Sequence, residues 1–285
     1  MMKKLRFMLI FALFGLFLIL NCSSMSCKRF KSEEAAFLHI LKQSNPEIIA
    51  FGEYHQQEET SHISSTLSRF MKSILPILSS TTSDIIIETW IPDGNCGKAE
   101  EQASAGIEET ISRPETTQDE LVDLIIKSDS LKIKPHILKL SCEEYDNMLL
   151  EDGDLDYDTL MNLVTRKISE KACSLFNLNV VDIERKQRVI IYGGAMHNDV
   201  KPDSGYEDFS FADKLQKSTK GSYLEIDLIV PEFAEAASDS LMQTEEWYKI
   251  MHKNANPNSV LLINPRPYQY IIVLKSTSRE PQPVR

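Results

Sequence analysis

Cysteine, tryptophan and positive charge are all scarce in this chain. Its 285 residues include five cysteines and two tryptophans, and 31 Lys and Arg side chains face 42 Asp and Glu, which gives a net charge of −11 at pH 7. The cysteines form no C-x-x-C pair, which argues against a zinc ribbon or a thioredoxin-like site. The acidic balance argues against nucleic acid as a partner and against a polybasic membrane patch, because both need basic surfaces.

Long hydrophobic runs are also rare, and the longest stands at the start of the chain. Phe7–Leu20 is an apolar run of 14 residues that follows the basic residues Lys3, Lys4 and Arg6. A membrane-spanning helix needs about 20 apolar residues. The run therefore predicts the core of a signal peptide.

A cysteine follows this run directly. Cys22 and the small polar Ser23 and Ser24 resemble a bacterial lipoprotein processing site, although Asn21 stands where Gly, Ala or Ser is usual. The resemblance implies cleavage before Cys22, acylation of its thiol, and anchorage in a lipid bilayer at the cell envelope, on the periplasmic face or the cell surface. A plain signal peptide and an uncleaved anchor are the alternatives.

Export would also govern the other four cysteines, Cys27, Cys96, Cys142 and Cys173. In an oxidising compartment an even number of cysteines permits up to two disulfides, and four cysteines allow three complete pairings. Free buried thiols are the alternative.

Beyond the signal segment, short apolar runs alternate with helical patterns. We predict a tether over residues 22–32, a single α/β domain over residues 33–275 and a disordered tail over residues 276–285, after a signal peptide over residues 1–21. The alternation predicts an α/β fold with a largely parallel central sheet, helices on both faces, and a helical insertion after the second strand.

Two short motifs repeat the same order of strand, glycine and histidine. The first is the apolar run Ile48–Phe51, which is followed by Gly52, Glu53, Tyr54 and His55. The second is the run of residues 188–192, which is followed by Gly193, Gly194, Ala195, Met196 and His197. In both motifs a histidine stands three residues after a glycine. A buried strand that ends in glycine is predicted in each case.

A third apolar run, Ile85–Ile87, ends in the carboxylate of Glu88. Ligands in open α/β sheets collect at the carboxyl ends of strands. We therefore expect Glu53, His55, Glu88 and His197 to share one edge of the sheet. Imidazole and carboxylate groups together suit a divalent metal such as Mn, Fe, Co or Zn.

Such a metal would supply hydroxide near neutral pH. His55 and His197 are the predicted ligands, Glu53 is a ligand or the general base, and Glu88 is a catalytic residue as a ligand or an orienting group. One helix is predicted over residues 56–78, and it would place His62 two turns above His55.

Several other residues allow alternatives. Tyr54 and Tyr192 flank the motifs as packing residues, proton donors or axial ligands of haem iron. Arg266 is either a clamp for an anionic group or a loop residue. Glu225 and Asp227 share one face of a predicted strand over residues 223–230, where a solvated edge is favoured over additional metal ligands.

The two glycine-x-x-histidine motifs with Glu88 between them resemble the superfamily of erythromycin esterases, ChaN-like, TraB and Tiki proteins. This resemblance implies an α/β fold with one shared site and several activities. Tiki-type members are membrane-tethered, metal-dependent proteases, erythromycin esterases hydrolyse a macrolide ester, and ChaN-like members are lipoproteins that bind haem. The signal segment and Cys22 favour the ChaN-like and Tiki-like branches.

Two functions therefore follow from the sequence. The first is a membrane-anchored, metal-dependent hydrolase that cleaves a peptide or a small-molecule ester. The second is an uptake lipoprotein that binds haem or iron without turnover, with Tyr54 as the nearest axial ligand. A descendant that has lost its activity is a third possibility.

Overall fold

The structure, a computed structural model, describes residues 25–93, 117–150, 154–182, 188–237, 242–254 and 256–276. The signal peptide, the lipidation residue Cys22, Cys96 and the tail beyond residue 276 lie outside these ranges. Among the helices that fall within them, none is both long enough and apolar enough to cross a membrane.

Eight strands form one mixed sheet. In chain order they are β1 Ser26–Phe30, β2 Ile48–Glu53, β3 Thr82–Asp93, β4 Lys134–Ser141, β5 Arg188–Gly194, β6 Tyr223–Ile229, β7 Val260–Arg266 and β8 Gln269–Val273. In space the order is β1-β7-β8-β6-β2-β5-β3-β4. Every pairing from β8 to β4 is parallel, and only β7 runs against its neighbours β1 and β8.

Within the described ranges, ten helices connect these strands. They are α1 Glu33–Gln43, α2 Thr66–Ser73, α3 Leu75–Leu78, α4 Thr117–Ser130, α5 Cys142–Asp146, α6 Tyr157–Val181, α7 Ala195–Asn198, α8 Ala212–Ser218, α9 Pro231–Ala237 and α10 Glu246–Asn254. Helix α4 is the described part of the predicted insertion between β3 and β4.

Alternation along the central strand β2 explains why both faces of the sheet are covered. Ile49 and Phe51 pack into one apolar cluster with the helices α1, α2 and α4. Ile48 and Ala50 pack into a second cluster with α6 and α8. A strand that is apolar on both faces is typical of a parallel sheet between two helical layers. The predicted α/β class is confirmed.

Two predictions about local structure were wrong. Residues 26–30, which we expected in a tether, form the edge strand β1 and pair with β7. The helix expected over residues 56–78 is interrupted, because the Ser65 side chain accepts from the Ser68 N–H and starts α2 there. Before that point, Gln56 Nε2 donates to the carbonyls of Thr60 and Ile63 and closes a compact turn.

The cysteines do not form a two-disulfide framework. Cys142 is disulfide-bonded, whereas Cys27 and Cys173 are free thiols. At most one disulfide can therefore form among the four cysteines. The fold is stabilised mainly by its apolar core.

Candidate active site

Three neighbouring strands deliver the predicted site residues to one edge of the sheet. Strand β5 lies between β2 and β3, and its Gly193 and Gly194 stand beside Gly52 and Glu53 of β2. Because the three strands are parallel, their carboxyl ends meet at the same edge. The structure brings together all four predicted side chains, namely Glu53, His55, Glu88 and His197.

The glycine pair at the end of β5 makes room for Glu88 and His55. The Gly194 N–H donates to Glu88 Oε2 at 2.7 Å. A Cβ atom on Gly193 would lie 2.0 Å from Glu88 Oε2, and one on Gly194 would lie 3.2 Å from His55 Nε2. The first distance is too short for any side chain, so glycine is required at position 193 by the close approach of the carboxylate.

His55 is held by the carboxylate two residues before it. His55 Nδ1 lies 3.0 Å from Glu53 Oε1, and the hydroxyl of the buried Tyr192 donates to Glu53 Oε2 at 2.6 Å. A carboxylate oxygen accepts in this contact, so His55 Nδ1 is the donor. Both oxygens of Glu53 are thus hydrogen-bonded, and its position fits an orienting role better than a ligand role.

His197 is more deeply buried than His55, with 4% of its side chain exposed. Its Nδ1 donates to the Phe209 carbonyl at 2.8 Å and lies 2.9 Å from Thr165 Oγ1. The Thr165 hydroxyl also donates to the Phe209 carbonyl at 2.8 Å. These contacts fix the ring so that Nε2 points to Glu88, whose Oε1 is 3.3 Å away.

Glu88 and His197 form an ion pair that favours the charged form of each partner. Burial raises the pKa of Glu88, but His197, the nearby His55 and the Gly194 N–H outweigh burial and bring the pKa below its usual value. Burial lowers the pKa of His197, but Glu88 and the Phe209 carbonyl bring it above its usual value. Glu88 is therefore ionised at neutral pH and draws a proton to His197 Nε2.

The kinds of donor atom at this edge suit the predicted metal, but the distances between them do not. Both imidazoles are anchored through Nδ1 to an acceptor and present Nε2, as metal-binding histidines commonly do. Glu88 supplies a carboxylate beside them. Within the ranges that the structure describes, however, no three His, Cys, Asp or Glu side chains are spaced to hold a metal ion. The chemistry of the donors fits a metal, and a metal would replace the proton between His197 and Glu88.

Tyr54 lies apart from these donors. Its ring packs against Trp247 with 5.8 Å between the ring centroids, and it belongs to the apolar surroundings of β7 and β8. Burial raises the pKa of Tyr54 well above its usual value, and the neighbouring carboxylates of Asp227 and Asp199 raise it further. A tyrosinate, the form that binds haem iron, is therefore disfavoured at this position.

Other candidate residues lie outside the site. His62 is exposed in the turn before α2, and Glu58 and Glu59 are exposed in a 3-10 turn. Arg266 is half-buried in the β7–β8 hairpin near Asp199, where its charge opposes the burial that raises the pKa of Asp199. Arg266 is the last residue of β7, and this position does not distinguish a clamp from a loop residue.

The structure adds residues that sequence reasoning did not find. Thr165 lies in the middle of α6, and the Phe209 carbonyl belongs to a loop, so neither carries a recognisable signal. Glu120 of α4 also approaches the site. Burial raises the pKa of Glu120, a hydrogen bond with Ser65 opposes this, and the charge of Glu53 adds to the rise.

The expectation of a solvated edge at Glu225 and Asp227 was wrong. Glu225 is fully buried and Asp227 is half-buried. Together with Tyr223 they form a polar face of β6 beneath helix α7, which carries His197.

Comparisons with known proteins identify no relative. No protein-family model, no curated protein and no solved structure matches this chain. The assignment to a superfamily therefore stays a prediction from the two glycine-x-x-histidine motifs.

Proposed function

We propose that this protein is a hydrolase of peptide or ester bonds at the cell envelope, with its active site at the carboxyl ends of β2, β3 and β5. One observation carries the proposal. An ionised Glu88 lies at a strand end beside two histidines, His55 and His197, and each ring is anchored through Nδ1 so that Nε2 faces inward. An ionised carboxylate beside two oriented imidazoles can accept and donate protons and so activate water.

A divalent metal, Mn, Fe, Co or Zn, is the proposed cofactor. His55 and His197 would hold it, since imidazole nitrogens are common donors for these ions. When bound, the ion would polarise the carbonyl to be cleaved and make water more acidic.

The chain itself supplies orientation and proton control. Glu53, which accepts from His55 and from Tyr192, keeps the proton of His55 on Nδ1. Thr165 and the Phe209 carbonyl likewise keep a proton on Nδ1 of His197. Glu88 is the group that exchanges a proton at this edge, because its Oε1 faces His197 Nε2.

Haem or iron binding without turnover, with Tyr54 as a ligand, is the second proposal from the sequence. The raised pKa of Tyr54 and the packing of its ring against Trp247 weigh against that ligand. We therefore place hydrolysis first.

The test is an assay of the purified protein on p-nitrophenyl esters and on a mixed peptide library, with each of Mn, Fe, Co and Zn added in turn. We expect hydrolysis by the wild type, and a loss of at least about 100-fold in kcat/KM for Glu88→Gln, because loss of a positioned acid or base typically costs that much. Glu170→Gln on the exposed surface of α6 is the matched control and should leave kcat/KM unchanged. A wild type that cleaves neither class, or an active Glu88→Gln, would contradict the proposal.

A further inference from the structure

One face of β6 is polar although it is buried. Tyr223 and Glu225 have no exposed surface, and Asp227 is half-buried. Residues two apart in a strand share a face, so the three side chains form a row that points away from the apolar cluster of Leu224 and Ile226. A buried row of this kind needs partners for its polar atoms.

Every member of the row binds the segment that directly follows His197. The Tyr223 hydroxyl donates to the Asn198 carbonyl at 2.6 Å. The Val200 N–H donates to Glu225 Oε2 at 2.6 Å. Asn198 Nδ2 donates to Asp227 Oδ1 at 3.2 Å. Strand β6 therefore holds residues 198–200 through three consecutive hydrogen bonds.

The same contacts fix helix α7 against strand β2. A Cβ atom on Gly52 would lie 2.6 Å from Asp227 Oδ1, 2.7 Å from Ala195 Cα and 2.7 Å from Asn198 Nδ2. Helix α7 therefore lies directly on the backbone of β2 at Gly52. The Asp227 carboxyl approaches Gly52 as closely as α7 does. Asp227 is linked to α7 through its hydrogen bond with Asn198, the last residue of that helix and the neighbour of His197.

Negative charge is concentrated around this row. Glu225 and Asp227 are neighbours on β6, and Gln269 of β8 donates to Glu225 Oε1 at 2.6 Å. Asp199 acts on both carboxyls of the pair, and the pKa values of Tyr54 and Tyr223 respond to the charge of the pair. Asp203, Glu245 and Arg266 act on Tyr54 or on Asp199, and Arg266 is the cation among them. Two adjacent carboxyls, one fully buried and one half-buried, repel each other when both are ionised, which favours a pair that retains a proton.

The pKa values of the pair agree with this geometry. Burial raises the pKa of Asp227 to about 7, although the hydrogen bond from Asn198 opposes the rise. Burial and the charge of Asp227 raise the pKa of Glu225 well above its usual value.

We propose that Glu225 and Asp227 form a proton-sharing pair that positions α7, and with it His197, so that loss of the proton loosens the active site. The proposal rests on the proposed function only in treating His197 as an active-site residue. The pair touches neither substrate nor metal, and its members are positioning residues.

The direction of the pH effect follows from the raised pKa of Asp227. The folded state favours the protonated carboxyl, so the stabilisation is lost as pH rises toward the folded pKa of about 7. Between pH 6 and pH 8.5 the equilibrium for opening α7 should shift by about tenfold, because at pH 6 the group lies about one unit below its folded pKa.

Amide hydrogen exchange on the full-length protein tests the proposal without any assay of hydrolysis. The reporter is the Phe211 N–H, which donates to the His197 carbonyl at 2.9 Å and does not contact the pair. We expect its protection factor in the wild type to fall about tenfold from pH 6 to pH 8.5. In Asp227→Asn the protection factor should be the same at both pH values.

Three further variants keep the test decisive. Asp227→Ser also removes the titrating carboxyl, and it serves where Asp227→Asn fails to fold. Tyr223→Phe removes a contact that does not titrate in this range and should keep the wild-type tenfold change. Asp213→Asn, on the exposed surface of α8, should behave as the wild type does. Equal protection at both pH values in the wild type, or a tenfold fall that persists in Asp227→Asn or Asp227→Ser, would overturn the proposal.

Discussion

Each imidazole of the candidate site is held on the side away from its reactive nitrogen. Glu53, which accepts a hydrogen bond from Tyr192, holds His55, and Thr165 and the Phe209 carbonyl hold His197. Anchors of this kind fix the tautomer and the direction of a ring, and their loss commonly lowers metal affinity or activity by 10- to 100-fold.

The Thr165 hydroxyl offers the cleanest test at the residue scale. Thr165→Val keeps the shape of the side chain and removes the hydroxyl that contacts His197 Nδ1 and the Phe209 carbonyl. We expect metal affinity and kcat/KM to fall by about tenfold, as measured by metal titration and by the ester assay. Thr165→Ser restores the hydroxyl and should recover most of the loss. If Thr165→Val matches the wild type in both measurements, the assigned role of Thr165 is wrong.

The sequence predicted the principal side chains of the site because their signal is local. A strand, a glycine and a histidine follow one another in the first motif and again in the second, and Glu88 ends a strand in the same way. Thr165 and the Phe209 carbonyl could not be predicted, because they reach His197 only through the packing of α6 and a loop. Glu225 and Asp227 were misread because alternation does not show what covers a polar face.

At the scale of helices and strands, the site exists because β2, β5 and β3 are neighbours in the sheet. Their order in space differs from their order in the chain, which long crossover connections make possible. The three apolar runs that were predicted as strands before Gly52, Glu88 and Gly193 do lie in β2, β3 and β5. The interrupted helix over residues 56–78 was not, because the capping by Ser65 and the turn at Gln56 overrode the apolar spacing.

The amino-terminal halves of β3 and β4 are joined by a hydrogen bond between side chains. Asp84 is fully buried, and its Oδ1 lies 2.7 Å from His136 Nε2. We expect His136→Ala to lower the free energy of unfolding by about 2 kcal/mol, because it removes a hydrogen bond to a buried carboxyl group. Urea unfolding of the two proteins measures the difference.

The matched control for that substitution is His62→Ala, since His62 is exposed in a turn. It should change the free energy of unfolding by less than about 0.5 kcal/mol. Equal effects of the two substitutions would show that the Asp84–His136 pair does not stabilise the sheet.

At the scale of the whole molecule, the predicted α/β class depends on alternating strands and helices, and it holds for all the described ranges. The outer strands were harder to predict. Strand β1 has only five residues, and it is mostly polar and exposed. Its pairing with β7 is what makes this segment a strand. Pairing between residues far apart in the chain leaves no local signal.

The predicted lipid anchor is also a property of the whole molecule. If Cys22 is acylated, the protein should sediment with membranes and partition into the detergent phase of Triton X-114. Cys22→Ser should incorporate no labelled fatty acid, because it removes the thiol that would be acylated. Cys27→Ser removes an exposed free thiol five residues later and should incorporate fatty acid as the wild type does. A Cys22→Ser protein that still incorporates fatty acid, or a wild type that incorporates none, would contradict the lipoprotein assignment.

The central claim is that His55 and His197 hold a divalent metal at the strand ends. The most direct measurement is elemental analysis of the purified protein after exposure to Mn, Fe, Co and Zn, for the wild type and for a His55→Ala, His197→Ala double variant. A second double variant, His62→Ala with His252→Ala, removes two exposed histidines as the control. We predict close to one metal ion per chain in the wild type and the control, and none in a folded His55→Ala, His197→Ala protein. A wild type that binds no metal, or a site variant that binds as much as the control, would contradict the account.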